Sequence, residues 1–251
     1  MTDPSSGVAR YGDTWKREED LDSLNARIHD GAPLDLLRER AHGYRELLFE
    51  RTYPQARPQE GDWTLEFGSG VGWIMQAMLE AYPISRAVGL DISENMIARA
   101  KERLKDPRAS WVHYDGFNIP FEEGEVPIIY STAAIQHVEK HVAFILMKEL
   151  YRILKPGGHA VLHFLSVDNI VPSGIPYEAE CWNHINSVEA HWHHYYSFDE
   201  LFVWFSDLIG VDELDIQHEP GWAFLVHFSK GTGRKFARAE LPSLTYRGRF
   251  A

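Results

Sequence analysis

Acidic residues and glycines follow the predicted strands of this chain, and their types and spacing favour binding of a small polar ligand. Glu66 ends a short apolar run and is followed by Gly68, Gly70 and Gly72. Because glycine accepts positive φ angles and has no Cβ, this stretch predicts a tight turn that a ligand can approach closely. A helical pattern begins at Ile74, so the segment is typical of a strand, a glycine turn and a helix N-terminus.

Further candidate ligand-binding residues follow the next strands. Asp91 ends the second apolar run, where a carboxylate can accept hydrogen bonds from both hydroxyls of a ribose. Asp115, Gly116 and Phe117 follow the third. We expect this acid to accept from an adenine amino group and the phenyl ring to pack on the base. Ser131 ends the fourth strand.

The pattern excludes two common nucleotide sites. A nicotinamide dinucleotide site needs glycines in the frame G-x-G-x-x-G, and the third position of that frame is Trp73 here. A P-loop needs Gly-Lys-Ser/Thr after the turn, and no lysine or arginine stands nearby to meet a phosphate. The acids instead indicate a cofactor with hydroxyls, an amine and a positive charge, and S-adenosylmethionine has all three.

Alternating strands and helices position these residues. The predicted strands cover residues 63–67, 87–91, 109–114, 127–130 and 159–165, and a closing hairpin covers 211–219 and 222–229. The predicted helices cover 74–81, 93–104, 142–154 and 197–209, with a sharp stop and turn at Lys155–Gly158. This alternation is typical of a mostly parallel sheet covered on both faces.

Three segments in register resemble the class I S-adenosylmethionine-dependent methyltransferases. They are residues 65–72, 88–96 and 149–158, which resemble motif I, motif II and the signature before strand five. The resemblance implies an α/β fold with a Rossmann-like seven-stranded sheet in the order 3-2-1-4-5-7-6, the last strand antiparallel. Family members usually carry an acid just before strand four, where this chain has Val126 and Pro127. That departure puts one local contact in doubt rather than the fold.

The resemblance also implies the cofactor, S-adenosylmethionine, which leaves as S-adenosylhomocysteine. Glu66 is expected near the amino group of the methionine part and Asp91 at the ribose. The full set of expected cofactor-binding residues is Glu66, Gly68, Ser69, Gly70, Gly72, Asp91, Ile92, Met96, Asp115, Gly116, Phe117 and Ser131. We predict no metal site, since no HExxH or comparable spacing is present.

The expected reaction is methyl transfer to an oxygen or nitrogen atom of a small molecule, for example a secondary metabolite. His137, just after strand four, and His191 are the candidate general bases, although a purely structural role for His137 is an alternative. His184, His193 and His194 are further candidates for lining the pocket. Methylation of a protein, and a non-catalytic relative that only binds S-adenosylmethionine, remain open as alternative functions.

Three parts of the chain are distinguished by composition. Residues 1–60 are mostly helical and predict an N-terminal cap, either a lid over the site or simple packing. Residues 61–229 form the predicted core, within which the long histidine- and tryptophan-rich stretch 166–196 is expected to select the substrate. Residues 230–251 form a basic tail.

Overall composition limits the partners and the compartment. The formal net charge of −12 disfavours binding to nucleic acid. A single cysteine, Cys181, excludes an internal disulfide framework and fits a reducing cytoplasm. The sequence has neither a signal-peptide pattern nor an apolar run long enough to cross a membrane. We therefore expect a cytoplasmic protein that acts on a small molecule; the oligomeric state is not indicated.

Overall fold

A computed structural model describes residue 15 and residues 19–29, 31–170 and 193–231. Three predictions fall wholly or mostly outside these residues. They concern His191, residues 171–192 of the expected substrate-selecting stretch, and residues 232–251 of the basic tail.

A seven-stranded sheet forms the centre of the fold, in the order β3-β2-β1-β4-β5-β7-β6. The strands are β1 (Trp63–Phe67), β2 (Arg86–Asp91), β3 (Ala109–His113), β4 (Val126–Ser131), β5 (Leu154–Leu165), β6 (Glu213–Glu219) and β7 (Ala223–Ser229). The first five strands pair in parallel, and β7 lies antiparallel between β5 and β6. The predicted Rossmann-like topology is confirmed.

Helices cover both faces of the sheet. They are α1 (Leu21–His29), α2 (Leu34–Glu46), α3 (Trp73–Ala81), α4 (Glu94–Arg103), α5 (Lys140–Ile153) and α6 (Phe198–Phe202). Helix α2 continues into a π-helical turn over Leu47–Thr52, and α6 into another over Val203–Ile209. None of the helices described combines the length and the apolar character that crossing a membrane requires.

Alternation along the strands divides the core into two layers. Leu65 and Phe67 of β1 pack with α5 and α6 on one face. Tyr130 of β4 and Val161 of β5 pack with α3 and the turn after α2 on the other. Successive side chains of a strand point to opposite faces of the sheet. A strand that contributes to both core layers is therefore apolar along its whole length. The polar exceptions on β1 are Thr64 and Glu66, both buried.

The predicted turn at Lys155–Gly158 is wrong in one respect, because these residues lie inside β5 as a bulge. The β4–β5 register jumps between Val126 and Ile128, where Leu154 and His159 are the respective partners. Pro127 has no N–H to donate to the ladder, so pairing with β4 is interrupted there. Within the bulge, the backbone N–H of Gly157 donates to the carbonyl of Lys230 at 2.6 Å. The extra residues are thus tied to the chain that follows β7.

Candidate functional site

A cavity of about 480 Å³ lies at the carboxyl ends of β1, β2 and β4. The ends of these strands and the loops that follow them form its floor. Helices α1 and α2, together with Trp15, line it from the N-terminal part of the chain. This is the edge at which open parallel sheets bind ligands, beside the point where the strand order reverses.

The glycine turn after β1 lines the cavity with its backbone. Gly68 has a φ of 70°, and a Cβ there would lie 2.3 Å from the Cβ of Ala134. Gly70 has a φ of 51°, and a Cβ there would meet no atom within 4 Å. Gly68 is therefore required by a close approach of two loops, whereas Gly70 leaves open space that a ligand can fill.

Asp91, at the end of β2, is a buried carboxylate on the wall of the cavity. Its Oδ2 accepts from the backbone N–H of Gly70 at 2.7 Å, and its Oδ1 accepts from that of Ser93 at 2.9 Å. Burial raises the pKa of Asp91, while these two hydrogen bonds act in the opposite direction. Each oxygen keeps a further lone pair that can accept from a ligand hydroxyl.

Glu66 is the second acid of the cavity and is 2% exposed. The hydroxyl of Tyr130 donates to its Oε2 at 3.3 Å. Burial raises the pKa of Glu66 to about 8, with a smaller contribution from the nearby Asp91 charge. Glu66 is thus largely protonated at neutral pH and would ionise when a cation arrives beside it.

Arg103 of α4 fixes the turn from behind. Its guanidinium donates to the carbonyls of Val71 at 2.9 Å and Gly72 at 2.6 Å. It also lies 3.9 Å from the centre of the Trp73 ring, which itself lines the cavity. Burial lowers the pKa of Arg103 to about 10, so it stays charged at neutral pH. These contacts fix the backbone at the end of the glycine turn, directly before α3 begins.

Three histidines, His29, His137 and His193, are among the residues that line the cavity. His137 ends a 3₁₀ turn after β4, and its ring centre lies 5.1 Å from that of His193 and 5.6 Å from that of Trp15. The backbone N–H of His194 donates to the carbonyl of Gln136 at 2.7 Å. Residues 193 and 194 are therefore anchored to the β4 loop.

The structure brings together most of the predicted site. The predicted residues that line the cavity are Glu66, Gly68, Ser69, Gly70, Asp91, Ile92, Met96 and His137. His193, which the sequence could not distinguish from its neighbours, joins them. In contrast, five predicted cofactor-binding residues do not line this cavity: Gly72, Asp115, Gly116, Phe117 and Ser131.

Two of these five make local hydrogen bonds instead of lining the cavity. The Asp115 carboxylate accepts from the backbone N–H groups of Phe117 and Asn118, so it closes its own turn. Ser131 is fully buried and donates to the carbonyl of Phe67 at 2.8 Å. Gly72 instead serves as the N-cap of α3 with a φ of 79°.

The sequence offered residues 1–60 as a lid over the site or as simple packing, but it assigned no individual residue of this part to the cavity. Leu24 of α1 packs with Val71 beside the glycine turn and with Met96 of α4. Leu37 and Tyr44 of α2 line the cavity further along. Their helical spacing identified an apolar face, but this spacing does not tell what the face covers.

Sequence comparison places this site in a known kind of domain. Residues 64–158 match the family described as methyltransferase domain. Over 174 residues the chain is 28% identical to malonyl-[acyl-carrier protein] O-methyltransferase from Marinomonas sp., covering 69% of this chain and 60% of that protein. Over 101 residues it is 34% identical to demethylmenaquinone methyltransferase from Staphylococcus saprophyticus, covering 40% of this chain and 38% of that protein.

Structural comparison agrees on the fold. A putative S-adenosyl-L-methionine-dependent methyltransferase from Methanococcus maripaludis superposes with a TM-score of 0.60 at 22% identity, covering 87% of this chain and 97% of that one. The alignment thus extends beyond residues 64–158. The chain spans about three fifths of the Marinomonas relative and about two fifths of the Staphylococcus one.

Proposed function

We propose that this protein, which belongs to the class I S-adenosylmethionine-dependent methyltransferases, transfers a methyl group to an oxygen or nitrogen atom of a small molecule. One observation carries the proposal: two buried acids, Glu66 and Asp91, and the histidines His137 and His193 line a single cavity. The acids suit a cationic donor, and the histidines suit an acceptor that must lose a proton.

The residues present fit the cofactor. Open space at Gly70 leaves room for a ligand against the backbone, and Asp91 can accept hydrogen bonds from ribose hydroxyls. Glu66 would pair with the amino group of the methionine part. When bound, the cofactor supplies an activated methyl group on a sulfonium with a good leaving group. The protein therefore contributes mainly proximity and orientation.

We assign binding of the methyl acceptor to the part of the cavity around His137. A neutral His137 imidazole would take the proton of an acceptor hydroxyl as the new carbon–oxygen bond forms. An amine acceptor would need only to arrive unprotonated. His193 lies beside it, with the two ring centres 5.1 Å apart.

Residues 1–60 are proposed to cap the core spanning 61–229, as a lid over the site. Support comes from the walls that α1 and α2 contribute to the cavity and from the contact of Leu24 with Val71 and Met96. A cap of this kind favours a small molecule over a protein segment, which would need an open groove. The extension of the cavity to His137 favours an enzyme over a relative that only binds the cofactor.

Titration calorimetry with S-adenosylhomocysteine tests the proposal. The wild-type protein should bind it, and Asp91→Ala should weaken binding at least about tenfold, because hydrogen bonds from two hydroxyls lose their acceptor. Asp207→Ala, an acid remote from the cavity, is the control and should bind normally. Absence of binding to the wild-type protein would refute the proposal.

A further inference from the structure

Arg40 is the one arginine or lysine among the described residues that line the cavity. Helix α2 carries three arginines, and two of them have acidic partners. Arg38 pairs with Glu80 at 3.0 Å, and Arg45 pairs with Glu50 at 3.0 Å. Within the described part of the chain, no hydrogen bond or ion pair involves the Arg40 guanidinium, which leaves all its donors available.

Tyr44 lies one helical turn after Arg40 and also lines the cavity. Burial raises the pKa of the Tyr44 phenol, and the positive charge of Arg40 acts in the opposite direction. Because the two residues are four positions apart on α2, their side chains lie on the same face of the helix. No hydrogen bond from the phenol to another described residue is formed. An anion at this point would find a cation and a hydroxyl donor together.

The position of Tyr44 in the cavity indicates whether these donors would bind the cofactor or the methyl acceptor. The Tyr44 ring lies against His163 of β5 and Trp222 just before β7, with ring centres 6.2 Å and 5.9 Å away. Glu66 is the last residue but one of β1 and Asp91 is the last of β2, and β4 lies between β1 and β5 in the sheet. Tyr44 therefore lies on the β5 and β7 side of the cavity, with Arg40 one helical turn before it on α2. The acids lie on β1 and β2, the side assigned to the cofactor.

We propose that Arg40 and Tyr44 bind a carboxylate of the methyl acceptor, which makes the substrate class a small acid with an apolar body. A carboxylate matches the fork of the guanidinium, and the apolar side chains of Ile28, Leu34 and Leu37 also line the cavity. The inference rests on the proposed function, because it assumes that the cofactor occupies the acidic side.

Benzoate and the neutral benzamide are the probes, titrated into protein saturated with S-adenosylhomocysteine. Benzoate should bind about tenfold more tightly than benzamide, since only the anion gains the charge-assisted hydrogen bonds. Arg40→Gln should abolish this preference. Arg38→Gln, which alters an arginine of the same helix that pairs with Glu80, should keep it.

Three results would overturn the inference. They are no binding of benzoate at millimolar concentration, an equal affinity for benzoate and benzamide, and a preference that survives in Arg40→Gln. It would also fail if Arg40→Gln weakened S-adenosylhomocysteine binding by a similar factor, because Arg40 would then serve the carboxylate of the cofactor. Failure of the wild-type protein to bind S-adenosylhomocysteine refutes the proposed function instead, so the two failures are distinguishable.

Discussion

Burial affects the protonation of individual side chains in this site as much as their chemical type does. Glu66 and Asp91 are both acids at strand ends, yet their environments differ. Burial raises the pKa of both, but Asp91 accepts from the backbone N–H groups of Gly70 and Ser93 at 2.7 and 2.9 Å, whereas the hydrogen bond that Glu66 accepts from Tyr130 is 3.3 Å long. Desolvation therefore dominates at Glu66 and raises its pKa to about 8.

This protonation state predicts that cofactor binding releases a proton. At pH 7 a carboxyl with a pKa near 8 is about nine-tenths protonated, and pairing with the ammonium group of the methionine part favours its ionised form. Binding of S-adenosylhomocysteine should therefore release close to one proton and should strengthen as the pH rises towards 8. Calorimetry at pH 7 in phosphate and in Tris would measure the release.

Glu66→Gln is the matched variant, because it keeps the shape of the side chain and cannot ionise. It should bind the ligand without releasing this proton. Equal proton release by the wild-type and Glu66→Gln proteins would contradict the assignment to Glu66.

At the scale of elements, α1 and α2 complete a site whose floor belongs to the sheet. Leu24 is 2% exposed and joins α1 to Val71 and Met96. Since α1 is a single short helix, this contact matters more for its docking than for the stability of the core.

Leu24→Ala should therefore loosen α1 without unfolding the protein. Removing this buried side chain costs about 2–3 kcal/mol of local docking free energy. We expect faster amide hydrogen exchange in α1 and severalfold weaker S-adenosylhomocysteine binding. Leu36→Ala, a change on the exposed side of α2, is the control. Unchanged exchange in α1 of the Leu24→Ala protein would show that this contact does not hold the cap.

At the scale of the whole molecule, buried histidines make stability depend on pH. His163 of β5 is buried against Tyr44 and Trp222, and both of its ring nitrogens lack a hydrogen-bond partner among the described residues. Burial lowers the pKa of His163 to about 4. Between about pH 6.5 and pH 4 the unfolded chain therefore binds more protons at this site than the folded one, so folding stability is lost as the pH falls.

Glu66, whose pKa is raised, makes the free energy of unfolding change with pH in the opposite direction. The wild-type protein is therefore compared with His163→Leu, which keeps Glu66 and lacks only the histidine. From about pH 7 to pH 5 the free energy of unfolding should fall by about 2 kcal/mol more in the wild-type protein than in the variant. Urea unfolding at both pH values would measure it. The exposed His141→Leu change should leave the slope unaltered, and parallel slopes in the wild-type and His163→Leu proteins would contradict the prediction.

The sequence by itself determined the sheet, its strand order through the family resemblance, and the donor side of the site. Those features depend on local signals: apolar runs, the glycines after Glu66, and the acid that ends β2. Asp115 and Ser131 lie outside the lining of the cavity and make local hydrogen bonds that spacing in the sequence does not indicate. Only the tertiary structure decided that α2 and β5 meet at the cavity. That contact, between the rings of Tyr44 and His163, joins residues far apart in the chain, and it brings Tyr44 to the β5 side of the cavity.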